Sequence, residues 1–127
     1  MNNIISLKEI PYNWEDENSV NWIGMGTERC FEVILDEIYT IGLLFISEDT
    51  ETASGTPCKT YVTWLEFISI YRKKHLLKPT MEAIYNMFGE FHFESSEEHQ
   101  KKYYHIGAIS LGIDDLTENE IFKYSAA

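Results

Sequence analysis

The chain has 127 residues, which is the size of one domain and long enough to bury a substantial core. Hydrophobic residues make up 44% of it and aromatic residues 14%, as in globular rather than disordered chains. Acidic residues outnumber basic ones 21 to 10, giving a formal charge of −11. This charge argues against binding nucleic acid or an anionic membrane through a broadly basic surface.

No secretory signal is recognisable in the N-terminal residues. The longest uninterrupted apolar run covers only 41–46, whereas a membrane-spanning helix needs about 20 residues. The two cysteines, Cys30 and Cys58, form no CxxC pair, and we expect both to be free thiols. A cytoplasmic protein is therefore expected.

We predict a single domain over 1–127, with a lead-in at 1–13 and a loop at 47–58. The clearest predicted helix begins at the N-cap Thr27 and runs to about Ile46, although the apolar runs 33–35 and 41–46 could also be buried strands. Its apolar residues recur at spacings of three and four: Phe31, Ile34, Leu35, Ile38, Ile41 and Phe45.

A second helix is predicted over 59–75, because Tyr61, Trp64, Leu65, Ile68 and Tyr71 keep helical spacing. A third is predicted over 81–87, with Thr80 as its cap and Gly89 as its end.

The alternation of residues 90–94 is typical of a short strand. The segment after Ser95 fits either a helix or a strand through His105 to Leu111. A capping box at Thr117 and Glu120 predicts a C-terminal helix over 118–124. The sum is a mostly α domain of about five or six helices; the alternative is an α+β domain with a small sheet within 89–112.

No catalytic motif stands out. Gly24 and Gly26 form a bare GxG, which is too little for a phosphate-binding loop. Four residues, His92, Glu98, His99 and His105, could meet at a metal, but they lack the local spacing of a zinc site. We therefore expect no catalytic residue, metal or cofactor.

The acidic residues are concentrated in one part of the chain. Between Glu9 and Glu51 there are eleven acids and a single base, Arg29. On a helix, Glu28, Glu32 and Asp36 would form one stripe. Such a stripe is either a solvated face or a surface that attracts a basic partner.

Small size, acidity and the lack of a catalytic motif favour a non-enzymatic protein that covers a basic partner, such as an immunity protein or antitoxin against a nuclease toxin. The alternatives are a nucleic-acid mimic that inhibits a DNA- or RNA-binding protein, and a small carboxylate- or metal-dependent enzyme. No direct contact with nucleic acid or membrane is expected. The predicted partner-binding residues are Trp14, Glu15, Asp16, Glu17, Trp22, Glu28, Glu32, Asp36, Glu37, Glu48, Asp49 and Glu51.

Overall fold

The computed structural model describes residues 4–11, 29–72, 75–96, 103–104 and 106–125. Its elements, in chain order, are β1 (Ile5–Ile10), β2 (Arg29–Leu35), β3 (Tyr39–Glu51), β4 (Pro57–Phe67), a 3-10 turn (Ser69–Tyr71), α1 (Leu77–Phe88), β5 (Phe91–Ser95), β6 (Ile109–Ile113) and β7 (Glu120–Tyr124). Among these elements α1 is the one α-helix, so the prediction of a mostly α domain is wrong. This helix is too short to cross a membrane.

The strands form one seven-stranded mixed sheet in the order β1-β2-β3-β4-β5-β7-β6. Strands β4 and β5 are parallel, and every other neighbouring pair is antiparallel. The crossover between the parallel strands is made by α1, as parallel pairing requires a long connection.

Irregular pairing explains why β2, β3 and β4 were predicted as helices. The register shifts between Val33 and Ile34, and again between Phe45 and Ile46. Each bulge inserts an extra residue and interrupts the two-residue alternation of a strand. Several adjacent residues of β3 are also buried together. Apolar residues therefore recur at spacings of three and four without forming a helix.

Three smaller expectations also change. The segment predicted as a C-terminal helix, 118–124, contains β7, and the predicted loop at 47–58 is mostly the ends of β3 and β4. Thr80 lies inside α1 rather than at its cap, and its Oγ1 donates to the Leu76 carbonyl at 2.7 Å. Helix α1 does end at Gly89, which has φ 80°, and β5 lies where the alternation indicated a strand.

The main core lies between α1 and one face of the sheet. Met81 and Ile84 of α1 are buried against this face together with Phe31, Phe91 and Phe122. Phe122 stacks on the neighbouring Phe93 ring at a centroid distance of 5.4 Å. A smaller cluster on β2 and β3, Cys30 and Phe45, is packed by Ile10 and Trp64.

Arg29 of β2 forms ion pairs with residues of β1 and β3 at the edge of the main core. Its guanidinium binds both carboxylate oxygens of Glu9, at 2.8 and 2.9 Å, and one oxygen of Glu48, at 2.9 Å. The same group lies 5.3 Å from the ring centroids of Phe31 and Phe88. The hydrogen bonds from Arg29 lower the pKa of Glu9. The one base of the acidic segment is thus engaged within the fold.

Gly42 provides a test of the close packing between β3 and β4. A Cβ there would clash with the Glu66 carbonyl oxygen and lie 3.2 Å from the Phe67 Cα, both of which are backbone atoms. Gly42→Ala is expected to destabilise the protein by about 1–3 kcal/mol, the usual cost of overpacking. Urea unfolding measures this, with Ser47→Ala on the same strand as the control. Equal stability of the Gly42→Ala variant and the wild type would show that the two strands are not this close.

Candidate active site

The parallel pair β4 and β5 is joined over a very short length. Its ladder within the described residues consists of Tyr61↔His92 and Val62↔Phe93, although β4 continues to Phe67. Among the described residues, the parallel ladder thus ends at Val62 and Phe93. We call 63–67 of β4 together with 94–95 of β5 the β4–β5 opening. Ligands of open sheets typically bind at the carboxyl ends of such parallel strands.

A bulge begins at the same point on the other side of β4. Phe45 pairs with Trp64 and Ile46 with Val62, so Thr63 is the extra residue. Its Oγ1 donates to the Phe45 carbonyl at 3.1 Å and so fills the place of a ladder hydrogen bond. A bulge bends its strand and increases the local twist. The bend in β4 therefore coincides with the start of the opening.

Polar side chains lie together on one face of the sheet beside the opening. His92 is paired in register with Tyr61 on one side and Lys123 on the other, and Glu94 follows two residues later on the same face. We call Tyr61, His92, Glu94 and Lys123 the polar strip. The amide of Asn119 donates to Glu94 at 3.5 Å.

Burial has opposite effects on two members of the polar strip. It raises the pKa of Tyr61, and the carboxylate of Glu94 raises it further. Burial lowers the pKa of His92; Lys123 adds to this effect and Glu90 opposes it. At neutral pH the strip therefore combines a protonated phenol with a largely neutral imidazole. The Tyr61 phenol can donate a proton and the His92 imidazole can accept one.

The stretch from the end of β4 to the first turn of α1 contains the basic residues Arg72 and Lys78. Arg72 donates from Nε to the Phe67 carbonyl at 3.1 Å and pairs with Glu66 at 3.4 Å. Helix α1 then begins with no acidic residue in its first turn and no side-chain hydrogen bond from its N-cap, Leu76. Lys78 lies in that first turn. The positive end of a helix with a basic side chain nearby suits an anion, although Pro79 in this first turn has no N–H to donate.

Asp114 joins the tip of the β3–β4 hairpin to the turn between β6 and β7. Its buried carboxylate accepts hydrogen bonds from the Ser54 amide at 3.1 Å and the Ser54 hydroxyl at 2.7 Å. It also accepts from the amides of Leu116 and Thr117, at 2.8 and 3.2 Å. These donors, Ser54 first, lower the pKa of Asp114 to about 2.

The predicted partner-binding residues do not form the expected stripe. Half of them lie outside the described residues: Trp14, Glu15, Asp16, Glu17, Trp22 and Glu28. The others lie on β2, on β3 or in the turn between them: Glu32, Asp36, Glu37, Glu48, Asp49 and Glu51. A stripe of residues four apart needs a helix, and this segment is a hairpin.

The acidic residues that the structure describes also contact different parts of the protein. Glu32 accepts from Thr40 Oγ1 at 3.3 Å, Asp36 accepts from the Ile4 amide at 2.9 Å, and Glu48 binds Arg29. A binding role for these residues stays a prediction.

Signals for the polar strip and the opening are weak in the sequence. The sequence predicts His92 only as a possible metal ligand with Glu98, His99 and His105, which lie outside the described residues; the described residues contain no cluster that could hold a metal ion. Tyr61 and Thr63 were missed because they were placed on a helix. The two cysteines are free and buried, and burial raises the pKa of both Cys30 and Cys58, which fits a packing role.

Neither a protein-family model nor a curated protein matches the sequence. The fold is similar to solved structures of spermidine N-acetyltransferase. One is a chimera of the SpeG enzyme from Vibrio cholerae and hSSAT, with a TM-score of 0.56, 13% identity, and 94% of this chain and 92% of that chain covered. Another is the dodecameric Vibrio cholerae enzyme in an intermediate state, with a TM-score of 0.55, 11% identity, and coverages of 94% and 91%.

These likenesses correct the functional interpretation of the sequence. Nearly the whole chain takes up a fold that is seen in acetyltransferases. The expectations of a non-enzymatic immunity protein or antitoxin, of a basic protein partner, and of the nucleic-acid mimic or metal-dependent alternatives are therefore wrong. The net charge led to a wrong prediction of function because it describes which charges a protein attracts and says nothing about its fold.

The bulge at Thr63 can be tested through its hydroxyl. Thr63→Val keeps the branched shape but leaves the Phe45 carbonyl without this donor, which is expected to cost about 1–3 kcal/mol of stability. Thr63→Ser retains the hydroxyl and serves as the control. Chemical unfolding of the three proteins measures the difference. If the valine variant matched the serine variant, the hydroxyl would have no part in holding the bulge.

Asp114 predicts an acid-dependent loss of stability. Because its folded pKa lies below the unfolded value of about 3.9, its contribution is full above that value and is lost as pH falls from about 4 to 2. Asp114→Asn should therefore be less stable than the wild type at pH 7, and the gap should shrink over this window. Thermal unfolding between pH 2 and 7 measures the gap, and Asp115→Asn at the neighbouring exposed position is the control. A gap that stays constant with pH would contradict the assignment.

Proposed function

We propose that this protein is an N-acetyltransferase that moves an acetyl group from a thioester donor, acetyl-CoA, to a primary amine of a polyamine-like substrate. The observation that carries the proposal is the β4–β5 opening with its bulge at Thr63, within a sheet that resembles those of spermidine N-acetyltransferases. Under this proposal the protein acts in the cytoplasm and 1–127 form one domain.

The opening suits the donor's extended arm. The edge of β4 at 65–66, past the end of the ladder with β5, would offer backbone N–H and C=O groups, and such groups bind an extended ligand much as they bind a strand. The start of α1, with Lys78 in its first turn, would supply positive charge for the phosphates of the donor. The donor would thus lie along the carboxyl end of β4.

The charge of the protein suits a cationic acceptor. A net charge of −11 raises the local concentration of a small polycation and speeds its association. Within the described residues, Glu90 and Glu94 place carboxylates on and beside the polar strip. The exposed acids Glu48, Asp49 and Glu51 would add to this field.

In the reaction, the amine must lose a proton before its nitrogen attacks the thioester carbonyl. The C–N bond then forms, the C–S bond breaks, and the leaving thiolate takes up a proton. The net change is that thioester and ammonium give amide, thiol and one proton. A backbone N–H group aimed at the carbonyl oxygen would stabilise the negative charge that develops there during attack.

Purified protein is expected to form N-acetylated spermidine from acetyl-CoA and spermidine. Thiol release gives the rate and mass spectrometry identifies the product. Because the acidic field attracts a polycation more than a singly charged amine, kcat/KM should be higher for spermidine than for butylamine, and added salt should narrow the difference. Failure to acetylate any amine would refute the proposal.

The donor site has a matched pair of charge variants. Lys78→Glu, at the start of α1, should raise the KM for acetyl-CoA, since it places a negative charge against the phosphates. Lys59→Glu makes the same charge change at an exposed position on β4 and should leave this KM unchanged. Equal effects of the two variants would show that the start of α1 does not hold the donor.

A further inference from the structure

We infer that His92 is the proton acceptor for the substrate amine, with its Nδ1 receiving the proton at the polar strip. The inference rests on the proposed function and deepens it, since neither the fold likeness nor the opening assigns a base. It begins from one atom. In the described structure, Nδ1 of His92 is a buried side-chain nitrogen without a hydrogen-bond partner.

Such an atom is unusual because a buried polar group without a partner destabilises a protein, and nearly all of them are hydrogen-bonded. None of the described neighbouring groups is hydrogen-bonded to this nitrogen. His92 is flanked in register by Tyr61 of β4 and Lys123 of β7, and the Lys123 ammonium lies 3.7 Å from the carboxylate of Glu90. A hydrogen-bond donor supplied by a bound amine would complete the arrangement.

The position of His92 fits this role. Its ladder pair with Tyr61 is one of the two that join β4 to β5, next to the point where the opening begins. An amine at the polar strip would therefore lie close to a thioester carbonyl held along β4.

The charged and titratable groups around His92 keep it available as a base. Tyr61 of β4 stays protonated, Glu90 and Glu94 lie on or beside β5, and Lys123 projects from β7. Burial and Lys123 lower the pKa of His92, so the imidazole is largely neutral at pH 7. Nδ1 takes a proton from the ammonium, the neutral amine attacks the thioester, and the imidazolium later releases its proton to solvent.

The experiment compares His92→Asn with His75→Asn, which removes an exposed histidine from the loop before α1. Asparagine tolerates the left-handed backbone of residue 75, where φ is 57°. The wild type should lose kcat/KM for spermidine as the pH falls through the lowered pKa of His92. His92→Asn should reduce kcat/KM at pH 7 by about 100-fold or more and remove this acidic limb. His75→Asn should keep both the rate and the limb.

A second measurement uses the wild type alone, so that it does not depend on the variant folding. NMR of protein labelled with ¹⁵N-histidine follows the ring nitrogens of His92 during a spermidine titration. A shift of Nδ1 on binding, with a titration midpoint below 6.5, is expected. An active wild type whose acidic limb survives in a folded His92→Asn variant, or whose Nδ1 does not respond to spermidine, would overturn the inference and leave the proposed function standing. A wild type that acetylates no amine would overturn both.

Discussion

The structure depends on how briefly β4 and β5 pair. Two ladder pairs, ending at Val62 and Phe93, are all that join the two strands within the described residues. Antiparallel strands extend the sheet on either side, and α1 makes the crossover that parallel strands require. Because the described ladder ends at Val62 and Phe93, the opening lies at the centre of the sheet rather than at its edge. The bulge at Thr63 bends β4 at the same place.

The sequence predicted local features better than the fold. Gly89 ends α1 as expected, and the alternation that includes His92 lies on a strand. Periodicity failed over 29–67, where bulges and burial on both faces imitate the spacing of a helix. The aromatic and β-branched residues of β2 and β4 are typical of strands and were the better guide there. A bulge depends on pairing with a distant strand, so a single sequence gives little warning of it.

The candidate site was harder to predict than the fold because its residues are brought together by the register between β4 and β5. Tyr61 and His92 are far apart in sequence and meet only through the pairing of β4 with β5. Neither residue belongs to a motif, and the chemistry of each follows from its burial rather than from its type. The net charge led to the wrong prediction of a basic protein partner, because composition alone does not identify what a protein binds. The fold likeness to solved acetyltransferases overturned that prediction.

The most direct test of the central claim, that the β4–β5 opening holds the acetyl donor, is an NMR titration of ¹⁵N-labelled protein with acetyl-CoA. If the opening holds the donor, the NMR signals of the backbone amides of 63–67 on β4 and 94–95 on β5 should shift, together with those at the start of α1. The amides of β1 and the distal end of β3 should stay unchanged. Saturable binding whose shifts lie away from the opening, or no binding at all, would contradict the account.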